Sequence, residues 1–366
     1  TRGLFEITGN CSYQVTGGTI TIGRASSSST ADYINLSNNA NVTGGTVKIG
    51  GASTPVNQTI RINSTVPFFN LEINGFNTPS AQLVTNAINV KNNVSNMGGT
   101  LASNNLNISI QGNWLNQGSF TSGNASVVFN GLLPQSISGT TMTTFNNVQV
   151  NNPTGLSIQT PQNASVNGIL QLTNGVISTG SNVLVITSNG SINRTLGHVN
   201  GNLRKSFSTT ATTQLFEVGD AVMANYTPAS LTFNGITNSG TITVSTEPTD
   251  FAQISSSSLQ VNRSVNRNWS VSGSGLTFSN YAAVLSFLST DLDGLTNTAA
   301  LQGGVYSGAT WNYPTPGVRN ANSTELVGIT TLGTLQLAEN CTDTTSSETI
   351  SACGSYSWAA NGMTYT

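Results

Sequence analysis

The acidic side chains are the first residues of this sequence that could do chemistry, because two carboxylates can act as acid and base on a polysaccharide. Residues 1–195 contain three of them, Glu6, Asp32 and Glu72. Their spacing could stack two on neighbouring turns of a repeating fold, but they do not cluster, and the basic residues are equally scattered. A polysaccharide lyase or hydrolase that uses Asp32 and Glu72 is therefore the third of three functional hypotheses.

The remaining candidates for catalysis or metal binding are a lone histidine and a short acidic run. His198 has no second histidine to complete a metal site or a nucleophile–base pair, which favours a structural role. Asp291 and Asp293 lie in an Asp-x-Asp-Gly run that can begin a calcium loop, but the glutamate that closes an EF-hand loop is absent. The sequence predicts a turn with solvated aspartate side chains there. It predicts no metal, no cofactor and no enzymatic activity.

Composition restricts the class of protein and its partners. Charged residues make up 7% of the 366 residues, against about 25% in an average soluble protein, and the net charge is −2. This balance argues against binding to nucleic acid or to an anionic membrane surface. No apolar run approaches the roughly 20 residues of a membrane-spanning helix. The chain begins and ends within sequence patterns, so we expect a piece of a longer protein.

Short apolar pairs separated by turn-forming residues predict the elements that position these side chains. The spacing within each pair is two residues, typical of strands, and no stretch of residues 127–192 has a helical period. Strands this short and regular are typical of a parallel β-helix, in which each turn buries its apolar edge against the next. The clearest pairs are Val148/Val150, Leu156/Ile158, Leu170/Leu172 and Leu184/Ile186.

Internal repeats support this fold. Residues 15–23 match residues 42–50 at an offset of 27, about one turn of a three-sided β-helix. A longer offset of 77 relates residues 70–74 to 147–151, and we interpret it as three turns. Glycine pairs at 17–18, 44–45 and 98–99 predict tight corners. Asparagines at the corners are expected to stack into ladders.

The aromatic residues leave two interpretations open. Core filling is the favoured one for Phe68, Phe69, Trp114, Phe120, Phe129 and Phe145. An exposed row of rings for stacking on sugars is the other, and it supports the second functional hypothesis, a carbohydrate-binding module. In that case Trp114 or Trp311 should be exposed.

The pattern changes near residue 199. We predict an all-β chain of three parts: a parallel β-helix over 1–198, an immunoglobulin-like β-sandwich connector over 199–339, and the start of a further small β repeat over 340–366. Cys341 and Cys353 lie close enough in the last part to form a disulfide in an oxidising compartment, while Cys11 is expected to be a buried free thiol. The Asn-x-Ser/Thr matches are individually weak glycosylation signals: Asn41, Asn63, Asn107, Asn163 and Asn225.

Several motifs together resemble a known class of protein. Residues 112–123 read GNWLNQGSFTSG and are followed by VVFNG at 127–131, QSISG at 135–139 and FNNV at 145–148. Residues 199–207 (VNGNLRKSF), 216–219 (FEVG) and 226–228 (YTP) follow, and residues 352–358 read ACGSYSW. These runs resemble the large repetitive surface and secreted proteins of Bacteroidota that the type IX secretion system exports.

The resemblance implies a location and a role. Such regions are mostly stalks, adhesin shafts or fibres outside the cell, which carry binding or catalytic domains elsewhere in the chain. The Asp343-Thr344-Thr345 run fits the O-glycosylation pattern of these proteins, which implies a sugar on Thr344. The leading hypothesis is thus a non-enzymatic, extracellular structural or adhesive shaft. Its expected partners are other copies of itself, neighbouring modules of the same long chain, or polysaccharide surfaces.

Overall fold

The computed structural model describes residues 4–27, 30–159, 161–210, 212–341, 356–357 and 364–365. The described part of the chain is nearly all β, with 58% of it in strands and no α-helix. Three single-turn 3₁₀ helices cover Ile254–Ser256, Ser289–Asp291 and Thr298–Ala300. The strands are β1 (Phe5–Val15), β2 (Thr19–Ile22), β3 (Tyr33–Val42), β4 (Thr46–Ile49), β5 (Thr59–Ser64), β6 (Asn70–Ile73), β7 (Ser80–Leu83), β8 (Ile88–Val90), β9 (Val94–Asn96), β10 (Thr100–Ala102), β11 (Ile108–Ile110), β12 (Trp114–Asn116), β13 (Ser119–Thr121), β14 (Ser126–Phe129), β15 (Gln135–Ser138), β16 (Thr143–Phe145), β17 (Asn147–Asn151), β18 (Leu156–Ile158), β19 (Ala164–Val166), β20 (Ile169–Asn174), β21 (Val176–Ile186), β22 (Ser191–Arg194), β23 (His198–Phe207), β24 (Thr213–Phe216), β25 (Val218–Gly219), β26 (Ala229–Asn234), β27 (Gly240–Glu247), β28 (Leu259–Ser274), β29 (Asn280–Ser286), β30 (Leu301–Ser307), β31 (Thr310–Asn312), β32 (Thr315–Asn320), β33 (Ser323–Ile329), β34 (Thr334–Asn340), β35 (Tyr356–Ser357) and β36 (Thr364–Tyr365).

The first 23 strands wind into a β-solenoid, which confirms the predicted fold, and it has about 8 turns. All of their pairings with one another are parallel, and they form three faces. Face 1 begins with β1-β3-β5-β7-β10-β13, and face 2 consists of β8-β11-β14-β17-β20-β22. Face 3 runs through β2-β4-β6-β9-β12-β15-β18-β21 and ends on β23. Parallel pairing between successive turns satisfies the backbone laterally, so rigidity needs few charged residues.

The 27-residue repeat corresponds to one turn of the solenoid, since Thr19 pairs with Thr46 and Ile22 with Ile49. The interpretation of the 77-residue offset as three turns is wrong. Three turns along face 3 from Leu71 lead through Val94 and Trp114 to Ile137, whereas Val148 lies on face 2. Later turns are shorter than 27 residues because the face 1 strands shrink from 11 and 10 residues in β1 and β3 to three or four in β7, β10 and β13.

Inward-facing apolar side chains fill the solenoid, and each fully buried Leu or Ile contributes about 1.5–3 kcal/mol to folding. Phe68, Trp114, Phe129 and Phe145 are buried in this core, while Phe69 and Phe120 pack at its margins, so core filling is confirmed. The predicted asparagine ladders are present as well. Side-chain amides bond between successive turns in the pairs Asn63–Asn86, Asn70–Asn92 and Asn96–Asn116. The second glycine of the pair at each of two predicted corners has a positive φ, +87° at Gly45 and +80° at Gly18.

Residues beyond the solenoid form two antiparallel sheets packed face to face, which confirms the predicted sandwich. One sheet has the order β24-β26-β29-β33-β32, and the other contains β23-β27-β28-β34-β30-β31. Aromatic rings fill the space between them, with Phe207 of one sheet 4.8 Å from Phe233 of the other. Both rings and Trp269 are fully buried. They belong to the same hydrophobic cluster as the solenoid core, so the two cores are continuous.

Strand β23 belongs to both parts of the protein. It pairs in parallel with β21 from His198 to Lys205 and antiparallel with β27 from Leu203 to Phe207. The predicted boundary at 198/199 therefore falls at the start of a strand rather than in a linker, and as a division into domains it stays a prediction. Of the predicted repeat over 340–366, the structure describes only residues 340–341 and the paired strands β35 and β36. No helix in the described ranges is long and apolar enough to cross a membrane.

Candidate functional site

Buried charged side chains concentrate where the solenoid meets the sandwich. A fully buried arginine, Arg267 of β28, lies between two aspartates. Its Nε and one terminal nitrogen donate to Asp291 at 2.8 and 3.2 Å, and the same terminal nitrogen donates to Asp220 Oδ2 at 3.0 Å. Both aspartates are themselves almost fully buried, so the three charges of this Asp–Arg–Asp triad are compensated within the triad rather than by water. The triad links β28 to the loops after β25 and β29.

Hydrogen bonds from neighbouring groups favour the ionised form of the Asp220 carboxyl. Burial raises the pKa of the Asp220 carboxyl, but hydrogen bonds from the Val222 amide, Arg267 and Asn225 outweigh it and lower that pKa overall. Asp291 also accepts a hydrogen bond from the Leu288 amide at 2.9 Å. Both carboxyl groups are thus held in place by hydrogen bonds, which indicates a structural role.

A second buried ion pair lies on β23 itself. Lys205 Nζ donates to Glu217 Oε2 at 2.7 Å and to the Leu215 carbonyl, so it fastens β23 to β24 and to the residue that follows it. Burial lowers the pKa of Lys205 and raises that of Glu217, and in each case it outweighs the attraction between the two groups. The pair lines a cleft of about 620 Å³ between the end of the solenoid and β24.

His198 is buried at the same junction, and its surroundings indicate structure rather than catalysis. Its Nε2 lies 2.7 Å from the Asp220 carbonyl oxygen, which can only accept, so Nε2 carries the proton. Burial lowers the pKa of the imidazole, and Nδ1 has no partner among the described residues. A neutral histidine that holds the backbone of Asp220 in place contributes to the same junction as the triad.

The structure does not support calcium binding at Asp291 and Asp293. Asp291 is neutralised by Arg267, and Asp293 accepts hydrogen bonds from the Ser264 amide at 2.8 Å and from the Asn266 side chain at 2.9 Å. The predicted solvated turn is wrong for Asp291, which is buried because it faces Arg267. Within the described ranges no group of three or more His, Cys, Asp or Glu residues could hold a metal ion.

The acid pair considered for catalysis is not brought together. Asp32 immediately precedes a face 1 strand and is fully buried, whereas Glu72 lies on face 3. Each has its own cation: Asp32 bonds Arg61, and Glu72 lies 2.8 Å from Lys48 Nζ. The two carboxylates lack the shared position that acid–base catalysis on a glycosidic bond needs.

The Asp32 carboxylate predicts a pH dependence of stability. Burial raises its pKa, but hydrogen bonds from Arg61 and Ser26 outweigh this and lower it below the ordinary value. Stability from this group is therefore present above the unfolded pKa of about 3.9 and is lost as the pH falls through the lower folded pKa. We expect Asp32→Asn to cost about 2 kcal/mol at pH 7 and distinctly less at pH 2. Urea unfolding at both pH values measures this, and an equal cost at both would contradict the assignment.

The two tryptophans considered as sugar platforms differ in their exposure. Trp114 is 1% exposed and donates from Nε1 to Thr143 Oγ1, so the interpretation of Trp114 as a binding surface is wrong. Trp311 is partly buried against Phe251 and Tyr306 and bonds Ser256 Oγ.

The cysteine and glycosylation predictions have mixed outcomes. Cys11 is exposed on β1, so its expected burial is wrong. Among the described residues, β1 lies at the edge of the solenoid and pairs with one neighbouring strand, β3. Cys341 is exposed at the end of β34, while Cys353 and Thr344 lie outside the described residues, and both predictions about them stay predictions. Asn63 is buried and its side chain bonds Asn86, which leaves it inaccessible for glycosylation.

The fold and the junction define a β-solenoid fastened to an antiparallel β-sandwich through one shared strand. Comparison with models of known protein families, with curated proteins and with solved structures gives no match. The function therefore has to be argued from the geometry of this chain alone.

Sequence reasoning missed the residues that build the junction, namely Asp220, Lys205, Glu217 and Arg267. A signal was available in the sequence. In a chain with 7% charged residues, Lys205 and Arg267 stand inside strands of alternating apolar residues. Charges are almost never fully buried unless they are paired, so such positions indicate buried ion pairs.

Proposed function

We propose that this protein is a non-enzymatic extracellular shaft, in which the solenoid acts as a stiff spacer and the sandwich as a rigid connector to the next module. The observation that carries the proposal is the pairing of β23 with both parts, from Val176↔His198 to Phe207↔Gly240, with two register shifts in β21 between Ser178 and Val183. Backbone hydrogen bonds that cross the junction leave no flexible linker at which the shaft could bend. The dispersed and neutralised carboxylates argue against the enzymatic alternative.

The ends of the solenoid suggest how copies would associate. On the last turn β23 is covered by pairing with β25 and β27, but β22 of face 2 pairs only with β20 among the described strands. On the first turn the described part of the chain pairs β1 with β3 alone. An open strand edge is a ready template for another strand. The open edge of β1 has 11 residues and that of β22 has four. If β1 is an edge in the protein as purified, we expect copies to associate head to head through it, as a closed pair rather than a filament.

Light scattering and negative-stain electron microscopy of the purified chain test this proposal. We expect straight rods in which the solenoid of about 8 turns is about 38 Å long. The rods should pair through their first turns as the protein concentration rises. The Phe5 amide donates to Asp32 O and so points toward β3. Successive amides of a strand point to opposite sides, so the Thr8 amide, three residues further on, points away from β3. Thr8→Pro removes an outward amide and should abolish pairing without bending the rod. Rods bent at variable angles would contradict the stiff shaft, and head-to-tail chains would contradict the mode of association.

A further inference from the structure

Face 3 carries a second site, distant in sequence from the junction. It is an open pocket of about 450 Å³ formed by outward-facing residues of successive turns. Its walls are an ion pair, a buried asparagine and two exposed apolar side chains: Lys48, Glu72, Asn74, Phe76 and Met97. The volume lies within the range of small-ligand sites in proteins, about 300–1,000 Å³.

Phe76 is the anomalous residue of this pocket. Its side chain is 65% exposed and that of Met97 is 43% exposed, although the other phenylalanines of the solenoid pack into or against its core. The loop that presents the ring is fixed, because the Phe76 amide donates to Asn74 Oδ1 at 2.7 Å and Asn74 is itself buried. A single exposed apolar side chain is ordinary on a protein surface, but here an aromatic ring on a fixed loop lies beside a second exposed apolar side chain in one pocket, which makes it a candidate contact surface.

The ion pair beside the ring supplies matched polar groups. Lys48 and Glu72 are direct neighbours on adjacent turns, and Lys48 Nζ lies 2.8 Å from Glu72 Oε1. Both side chains are 30% exposed. Neither makes a further hydrogen bond to the described residues, so the ammonium keeps spare donors and Glu72 keeps a free carboxylate oxygen. A sugar hydroxyl both donates and accepts, so two neighbouring hydroxyls can bond one group each.

We propose that this pocket binds a neutral sugar residue of a polysaccharide, with Phe76 under the apolar face of the sugar ring and Lys48 and Glu72 on its hydroxyls. Because the charges of Lys48 and Glu72 cancel, the pocket has no electrostatic preference for an anionic sugar over a neutral one. The rest of the outward row on face 3 is mostly hydroxyl-bearing, with Thr21, Ser95 and Ser138 along the same line. A protein partner needs about 800 Å² of surface, whereas the exposed apolar surface in the pocket is two side chains.

Affinity gel electrophoresis of the full chain tests the site, with galactomannan, xylan, mixed-linkage β-glucan and mannan as neutral probes and alginate as the anionic probe. We expect at least one neutral polysaccharide to retard the protein and alginate to have no effect. Phe76→Ala and Glu72→Gln should each weaken retardation about tenfold or more. Val56→Ala, which truncates an equally exposed side chain outside the pocket, is the matched control and should leave retardation unchanged.

Three outcomes would overturn the proposal: no retardation by any neutral probe, retardation that survives Phe76→Ala, or equal loss in Val56→Ala. Light scattering of Phe76→Ala provides a second check. If the variant dissociates an oligomer that the wild type forms, the exposed ring belongs to a protein interface and the sugar site is refuted. The shaft proposed above does not depend on any of these results.

Discussion

Replacing Arg267 by methionine is expected to lower the free energy of unfolding by about 3–5 kcal/mol, because it leaves two buried carboxylates without their cation. Asp220 and Asp291 are both almost inaccessible to water, and Arg267 satisfies them with hydrogen bonds of 2.8–3.2 Å. The loss should be seen in urea unfolding followed by the fluorescence of tryptophan, since Trp269 lies two residues along the same strand.

Two further variants separate the charge from the packing. Arg204→Met is the matched control: Arg204 is half-buried on β23, bonds Thr243 Oγ1, and should cost less than about 1 kcal/mol. The triple variant Arg267→Met, Asp220→Asn, Asp291→Asn removes all three charges and should recover part of the stability that Arg267→Met loses. A cost below about 1 kcal/mol for Arg267→Met would mean that the triad does not fasten the junction.

Truncating Trp114 to alanine is expected to cost about 3–5 kcal/mol of stability. The indole fills the solenoid core, with the Phe120 and Phe145 rings at 4.8 and 5.4 Å and its Nε1 bonded to Thr143. Its removal leaves a cavity at the centre of three successive turns, and short turns cannot collapse into it without breaking their lateral pairing.

Urea unfolding of Trp114→Ala measures this cost, and Leu132→Ala is the control. Leu132 is 83% exposed in the loop between β14 and β15, so its truncation should change stability by less than about 0.5 kcal/mol. If Trp114→Ala retained wild-type stability, the residue would not be a core side chain, and its assignment as a sugar platform would have to be restored.

The repeating part of the fold could be predicted because its cause is local. Pairs such as Leu170/Leu172 place two side chains on one side of a strand, and the glycines at 44–45 fix a corner, whatever lies elsewhere in the chain. The number of residues per turn could not be predicted from the 77-residue offset. The apolar pair of β6 on face 3 and that of β17 on face 2 obey the same inward–outward alternation, so their sequences match although they are on different faces.

The junction could not be predicted, because its partners are distant in sequence. Arg267 meets Asp220 across 47 residues and Asp291 across 24 only because the topology of the sandwich brings them together. The exposure of Phe76 could not be predicted either, because the sequence does not distinguish it from the phenylalanines that are buried in the solenoid core. Its exposure depends on the corner after β6, where Asn74 bonds the amide of Phe76.

Amide hydrogen exchange along β23 tests the central claim most directly. If the solenoid and the sandwich share one continuous strand, the amides from Leu203 to Lys205, which pair on both sides, should be as protected as those of Val150 and Leu172 in the solenoid. The exposed turn at Asn104–Asn105 provides the fast-exchanging reference within the same protein. Exchange of the β23 amides at the rate of that turn would show that the two parts are joined by a hinge and would contradict the stiff shaft.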